Sequence, residues 1–225
     1  MIELENVHHD YGDHKVLGGI SLTLAEPRIA IVGANGSGKS TLARLLNGLL
    51  LPTSGRVRVD GLDTKKDGKA IRRKVGFVFQ DPDIQIIMPT VAEDLDFGLK
   101  RHGLTRERRA AKVTAALLEH GLDQHRDHPA HLLSGGQKQL LAIAAVLITD
   151  PTHLVFDEPT TLLDLPNRHR VTRLITGLTQ QVVLVTHDLD LAATADRVIV
   201  LDHGTVFADG PPARSIDAYV ALHTA

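Results

Sequence analysis

The sequence predicts an α/β fold with a largely parallel sheet, on three observations. First, apolar runs of buried-strand type recur along the chain: RIAIV (Arg28–Val32), KVGFVF (Lys74–Phe79), HLVFD (His153–Asp157), VVLVT (Val182–Thr186) and RVIVL (Arg197–Leu201), with helical stretches between several of them. Such alternation places parallel strands beneath helices on both faces of a sheet. Second, the interval from about Thr90 to Gln139 has helical periodicity, many charges and no convincing strand, so it is expected to be a helical subdomain inserted in the core. Third, SGRVRVDG (Ser54–Gly61), with IELENV (Ile2–Val7) and GGISLTL (Gly18–Leu24), is expected to form a small antiparallel β layer.

Composition narrows the classes. With 225 residues, 43% hydrophobic and 23% charged, the chain can bury one core, or a core with a subdomain. A net charge of −2 gives no broad electrostatic basis for sequence-independent nucleic-acid binding, and no nucleic-acid partner is expected. The absence of cysteine excludes disulfides and thiolate metal sites, and fits a reducing compartment. The start, MIELENVHHDYG, lacks a basic and then apolar leader. The longest apolar run, LLAIAAVLI (Leu140–Ile148), falls far short of the ~20 residues of a spanning helix, so any membrane role is expected to go through a partner.

Three motifs carry chemistry. GANGSGKST (Gly33–Thr41) fits G-x-x-x-x-G-K-[ST] and sits between the strand RIAIV and the helical KSTLARLLNGLL, the context that separates a phosphate loop from an ordinary glycine-rich turn. Small residues there turn backbone N–H groups toward phosphate oxygens at a helix N-terminus; Lys39 adds a point charge and Ser40 a metal-facing hydroxyl. HLVFDEPT (His153–Thr160) places Asp157 and Glu158 where an apolar strand ends. Alone such a pair is an ordinary solvated turn; behind a phosphate loop, one carboxylate suits Mg²⁺ and its neighbour, across the pleat, faces a water. LSGGQ (Leu133–Gln137) puts Ser134 at the expected N-cap of an amphipathic helix, so that its hydroxyl and the Gly135 and Gly136 amides form a second anion-facing terminus. A terminus contributes only ~0.3–2 kcal/mol with an anion, enough to complete a cradle built elsewhere.

The order of GANGSGKST, Gln80 after an apolar strand, LSGGQKQ, VFDEPT, LLD (Leu162–Asp164) and His187 after VVLVT resembles the ATP-binding-cassette ATPase family over essentially the entire chain. The resemblance implies one domain over residues 1–225: a P-loop NTPase core of RecA-like type, an N-terminal β layer and a helical subdomain at about 90–140. It implies ATP and Mg²⁺, held by Gly33, Asn35, Gly36, Ser37, Gly38, Lys39, Ser40 and Thr41, with Tyr11 stacked on adenine. Asp157, Ser40 and Gln80 would serve the metal, and Gln80 would also report on a transport partner. Glu158 would polarise the attacking water, His187 would contact the γ-phosphate, and Asp164 would lie in a loop linking two sites. Two such domains pair head to tail in the family. Ser134, Gly135, Gly136 and Gln137 would therefore close over the ATP of a second copy or a homologue. Without the family, Tyr11 reads as a β-layer aromatic, Gln80 as a strand cap and His187 as a helix-start polar residue. Family members commonly have a small residue before the leucine of the Asp164 loop; here the run is TTLLD, which leaves that loop's geometry open.

DPDIQIIMPTVAEDLDFGL, after Gln80, resembles the corresponding region of energy-coupling-factor ATPases, which power uptake of vitamins or transition-metal ions. That resemblance implies a peripheral subunit on the cytoplasmic side of the membrane, a transmembrane coupling protein and a substrate-binding membrane subunit. Asp81 and Asp83 are candidate acceptors for basic residues of the coupling protein; the alternative is a solvated loop. The short stretch after the last strand-like segment resembles biotin-system ATPases, with cobalt or nickel uptake as runner-up and another cassette importer or exporter behind it. A chromosome-maintenance ATPase would need heptad arms between its motifs, and a translation factor two cassettes. His120, His125, His128 and His131 crowd together in HGLDQHRDHPAH, but Pro129 interrupts any helical face that would align them, and a solvated, charged surface is the expectation.

Overall fold

The computed structural model describes residues 1–224, which divide into two compact units. The first contains Met1–Phe77, Thr152–Glu158 and the segment from Thr176 onward; the second contains Val78–Pro151 and Pro159–Ile175.

Two sheets build the first unit. Strands β1 (Ile2–Tyr11), β2 (His14–Leu24), β4 (Ser54–Val59) and β5 (Leu62–Asp63) form an antiparallel sheet in the order β2-β1-β4-β5. Ile2 and Leu4 alternate into the core. A register shift at Glu5–Asn6, with Asn6 at φ 45°, lets Val7 face inward again. The second sheet has the order β10-β9-β3-β8-β7-β6, from β10 (Thr205–Gly210), β9 (Arg197–Asp202), β3 (Arg28–Val32), β8 (Gln181–Val185), β7 (His153–Asp157) and β6 (Val75–Val78). Neighbours from β9 to β7 run parallel, and β10 turns back antiparallel. These central strands are covered on both faces, which is why they read as continuous apolar runs rather than alternating ones. Phe156 is wholly buried, a contribution of about 1.5–3 kcal/mol. The parallel-sheet core and the antiparallel layer are thus the α/β class expected.

The register decides what the sheet presents. Ile31 lies opposite Val185, and Val185 opposite Asp157, so β3, β8 and β7 end at one level. Their continuations are the Gly33 loop, Thr186–His187 and Glu158, delivered side by side at the carboxyl edge of the sheet. Helix α1 (Lys39–Leu46) follows β3, and α2 (Gly68–Lys74) precedes β6. Helix α7 (Leu189–Ala192) brings Ala192 against Ala30, Val32, Val198 and Val200, and Ile216 and Tyr219 of α8 (Pro212–Thr224) pack on the same cluster.

The second unit is helical: α3 (Val91–Leu99), α4 (Arg106–Glu119), α5 (Gly135–Leu147) and the greater part of α6 (Leu165–Gly177), with short 3₁₀ turns at Pro82–Ile84, Asp123–His125 and Ala130–Leu132. It runs wider than residues 90–140 because flanking residues are tied to its helices. Gln85 donates to the carbonyl of Ala142 on α5 at 2.8 Å, and Arg170 on α6 donates to the carbonyl of His120 at 2.6 Å. Among the described residues no helix is long and apolar enough to cross a membrane.

Candidate functional site

Gly38 is the N-cap of α1 at φ 97°, a left-handed conformation that a Cβ would strain; a Cβ there would also stand 2.7 Å from Leu17 and 3.1 Å from the carbonyl of Val16. The loop therefore turns into the helix with its N–H groups ahead of it. Lys39 folds back over the loop: its Nζ donates to the carbonyls of Gly33 (2.7 Å) and Ala34 (2.9 Å) and is almost wholly buried. Burial holds its pKa below the ordinary lysine value, against the pull of Glu158 and Asp157. The buried hydroxyl of Ser37 has no hydrogen-bond partner among the described residues. A left-handed glycine, a buried ammonium and an unspent hydroxyl fit a bound polyphosphate. Asn35 and Gly36 lie exposed on the loop, and Thr41 stands on the first turn of α1. Tyr11 ends β1 half exposed, its ring edge-on to His9 with centroids 4.7 Å apart.

Ser40 donates to Oδ1 of Asp157 at 2.8 Å, joining the first turn of α1 to the end of β7. Burial raises the Asp157 pKa despite that hydrogen bond and the charges of Arg44 and Lys39. A desolvated carboxylate beside a hydroxyl is a hard oxygen pair, which fits Mg²⁺.

Glu158 corrects the pleat argument. The strand ends at Asp157 and Glu158 has φ 53°, so the two carboxylates part because the chain turns through a left-handed residue, not because strand residues alternate. Strain at that residue is held by the hydrogen bond from its N–H to the carbonyl of Val185 (2.9 Å). Its Oε2 meets Nδ1 of His187 at 2.7 Å and the His187 N–H at 3.3 Å. Lys39, Ser40, Asp157, Glu158 and His187 thus lie together in the first unit.

Gln80, Ser134, Gly135, Gly136 and Gln137 belong to the second unit. Ser134 and Gln137 form a reciprocal capping box at the start of α5: the Gln137 N–H reaches Ser134 Oγ at 3.4 Å, and the Ser134 N–H donates to Gln137 Oε1 at 2.9 Å. Gly136 is packed on Asn167, whose side chain would stand 2.3–2.5 Å from any Cβ there; Asn167 in turn donates from N and Nδ2 to Oδ1 of Asp164 (3.1 and 2.7 Å). Asn167 escaped sequence reading; its one signal was its place three residues after Asp164, where a helix opens.

Asp81 accepts from the N–H of Asp83 (2.9 Å), capping the Pro82–Ile84 turn. Asp83 is not an unpaired acceptor: Lys138 on α5 donates to its Oδ1 at 2.7 Å, although 62% of the Asp83 side chain stays exposed. Ile84 and Ile87 are exposed beside it. A cavity of about 130 Å³ is lined by Gln80, Asp81, Asp83, Lys138 and the buried Gln139, among others. The histidines do not share one surface. His120 is buried, which lowers its pKa, whereas His125 and His128 meet Nδ1 to Nδ1 at 2.7 Å, and no cluster of three metal-ligating residues occurs among the described residues.

Known proteins resemble this chain in sequence and fold. Residues 17–161 match the ABC transporter family. A Deinococcus radiodurans protein named only as an ABC transporter ATP-binding protein is 57% identical over 219 residues, 97% of each chain. The biotin transport ATP-binding protein BioM of Rhizobium etli is 45% identical over 218 residues, again 97% of each. Among solved structures, CbiO1 of Clostridium perfringens, part of the ABC transporter complex CbiONQ, superposes with a TM-score of 0.84 at 33% identity, covering 99% of this chain and 93% of that one. A dimeric ATP-binding cassette bound to ADP and phosphate also gives 0.84, at 31% identity and with 94% and 99% covered.

Proposed function

The chain belongs to the ABC transporter family and is an ATP-hydrolysing transporter subunit, and from that premise we propose that it powers an energy-coupling-factor type importer, at the cytoplasmic face of the membrane, as one of two ATPase domains paired head to tail. The observation that carries the importer reading is the Pro82–Ile84 turn, stiffened by Pro82 and capped by Asp81, which presents Asp83, Ile84 and Ile87 at the surface. An acidic tip beside two exposed isoleucines suits a partner helix with a basic residue and an apolar face. Likeness to BioM supports a vitamin, biotin first, as the cargo. Likeness to CbiO1, part of the ABC transporter complex CbiONQ, supports a transporter ATPase without naming a cargo, and cobalt or nickel stays the alternative.

In this reading Lys39 and the loop N–H groups orient the phosphates; Ser40 and Asp157, with Gln80, would hold Mg²⁺, which would supply positive charge to the phosphate oxygens. Glu158 orients the attacking water and accepts its proton, and His187 fixes the Glu158 carboxylate. Ser134, Gly135 and Gly136 offer their capped terminus to the phosphates of the partner domain, and C2 pairing of two copies is the economical arrangement. Only the closed pair has complete sites, so ATP favours closure and its loss reopens the pair.

The test is co-expression with a transmembrane coupling protein and a substrate-binding membrane subunit of such an importer, affinity purification, and uptake of labelled biotin, Co²⁺ and Ni²⁺. The reading expects a complex and uptake of one of these, with Asp81→Ala/Asp83→Ala folded and ATP-competent but unable to assemble. A Lys138→Ala control separates docking from the internal ion pair, since it should leave assembly intact. Undiminished assembly and uptake by the double variant would withdraw the acidic turn as the docking point.

A further inference from the structure

Oε1 of Gln137 accepts from the Ser134 N–H at 2.9 Å, which fixes which end of that amide is oxygen. The other end, Nε2, therefore donates, and it lies 2.8 Å from Nε2 of His125. That ring nitrogen must be an acceptor, so His125 is neutral with its proton on Nδ1. Nδ1 in turn lies 2.7 Å from Nδ1 of His128, which must accept and carry its own proton on Nε2. The donors run in one direction: Gln137 to His125 to His128.

The backbone that carries the two rings is tied down. The His128 N–H donates to the carbonyl of His125 (3.0 Å), and the Val91 and Ala92 N–H groups at the start of α3 donate to the carbonyls of His128 and Arg126 (3.3 and 3.0 Å). Charged groups nearby have other engagements. Arg126 is turned to Thr114 on α4, Asp123 to Gln124, Glu93 on α3 to Thr90, and Lys138 on α5 to Asp83, while Asp127 and His131 are exposed.

An added proton has no place in this line. On Nε2 of His125 it confronts the Gln137 NH₂. On Nδ1 of His128 it displaces the His125 proton to Nε2, with the same result. Turning the Gln137 amide over to satisfy the imidazolium would bring its NH₂ against the Ser134 N–H and undo the capping box.

We propose that His125, backed by His128, is a positioning residue for the Ser134–Gln137 turn: the neutral pair holds the Gln137 amide in the orientation that completes the cap, and proton uptake by the pair releases it. Histidine is the side chain suited to such a change near neutral pH. The inference rests on the reading above, in which this turn takes part in ATP turnover.

Two measurements on the purified full chain test it. Imidazole ¹⁵N spectra at about pH 8, above the ordinary histidine range, should show His125 as the Nδ1–H tautomer and His128 as the Nε2–H tautomer; the opposite tautomer at His125 overturns the proposal whatever the activity. ATP turnover from about pH 5.5 to 8.5 should fall on the acid side in the wild type with ATP affinity kept. His125→Gln, whose amide oxygen accepts at any pH, should turn over normally and show a flatter acid limb. His125→Lys, a permanent donor, should lose about fivefold at alkaline pH, the scale of a lost cap. Identical acid limbs in the wild type and His125→Gln overturn the proposal. A Ser134→Arg control separates the levels: wild-type turnover there sinks the functional reading itself, whereas a dead Ser134→Arg beside unaffected His125 variants sinks only this inference.

Discussion

His187 reaches one oxygen of Glu158 twice, from Nδ1 at 2.7 Å and from its backbone N–H at 3.3 Å. A ring that donates Nδ1–H to the carboxylate has Nε2 left, and Nε2 can donate to a phosphate only when the ring carries both protons. Glu158 and His187 are thus one unit, tied twice through a single carboxylate oxygen.

Glu158→Gln should keep ATP affinity and lose at least about 100-fold in turnover, the usual worth of a general base. The closed, ATP-loaded pair should accumulate, visible as a nucleotide-dependent dimer in size-exclusion chromatography. Near-wild-type steady-state hydrolysis would remove Glu158 from this role.

Asp157→Asn should separate stability from function. The folded-state pKa of Asp157 lies above its unfolded value because the carboxyl is buried, so its contribution to stability is lost as pH rises through the folded value. At neutral pH its charge is a cost to the nucleotide-free fold. The variant should melt about 2–4 °C higher at pH 7, the size of a ~1 kcal/mol change in a chain of this length, and the gain should shrink as pH is lowered toward 4. Mg²⁺-dependent ATP binding should weaken in the same protein. A lower Tm at pH 7 would show that the Ser40 contact outweighs the cost of burial.

Gly136→Ala must displace the Asn167 side chain, since the new Cβ would overlap its amide, and with it the Nδ2 hydrogen bond to Asp164 (2.7 Å). Turnover should fall, and overpacking should cost about 1–3 kcal/mol in denaturant unfolding. Gly136→Ala/Asn167→Ala should recover most of the stability but not the turnover, because the side-chain half of the Asp164 anchor stays lost while the backbone N–H bond remains. Recovery of both would make Asn167 a spacer and no more.

Much of this was legible in the sequence for physical reasons. Doubly covered strands such as HLVFD have no polar face and announce themselves as apolar runs, and a loop that needs Gly38 at positive φ and folds Lys39 back onto its own carbonyls leaves little choice of residue. What could not be read depends on contacts between distant segments or on single dihedral angles. The left-handed turn at Glu158 carries no compositional mark, because a glutamate there looks like any strand-end acid. Lys138 pairs with Asp83 across 55 positions, and Asn167 meets Gly136 through a fold that spacing does not reveal. The crowded histidines looked like one surface; the structure buries His120 and aims His125 at Gln137.

The central claim is that each complete site takes its phosphate loop from one chain and its Ser134 turn from another. Lys39→Ala and Ser134→Arg should each be nearly inactive alone. Mixed in equal amounts with subunit exchange verified, half the pairs should carry one intact and one doubly broken site, so the mixture should regain roughly a quarter of wild-type turnover if the two sites of a C2 pair act independently. No recovery above the parents, with wild-type pairs remaining active under the same exchange conditions, would contradict the account.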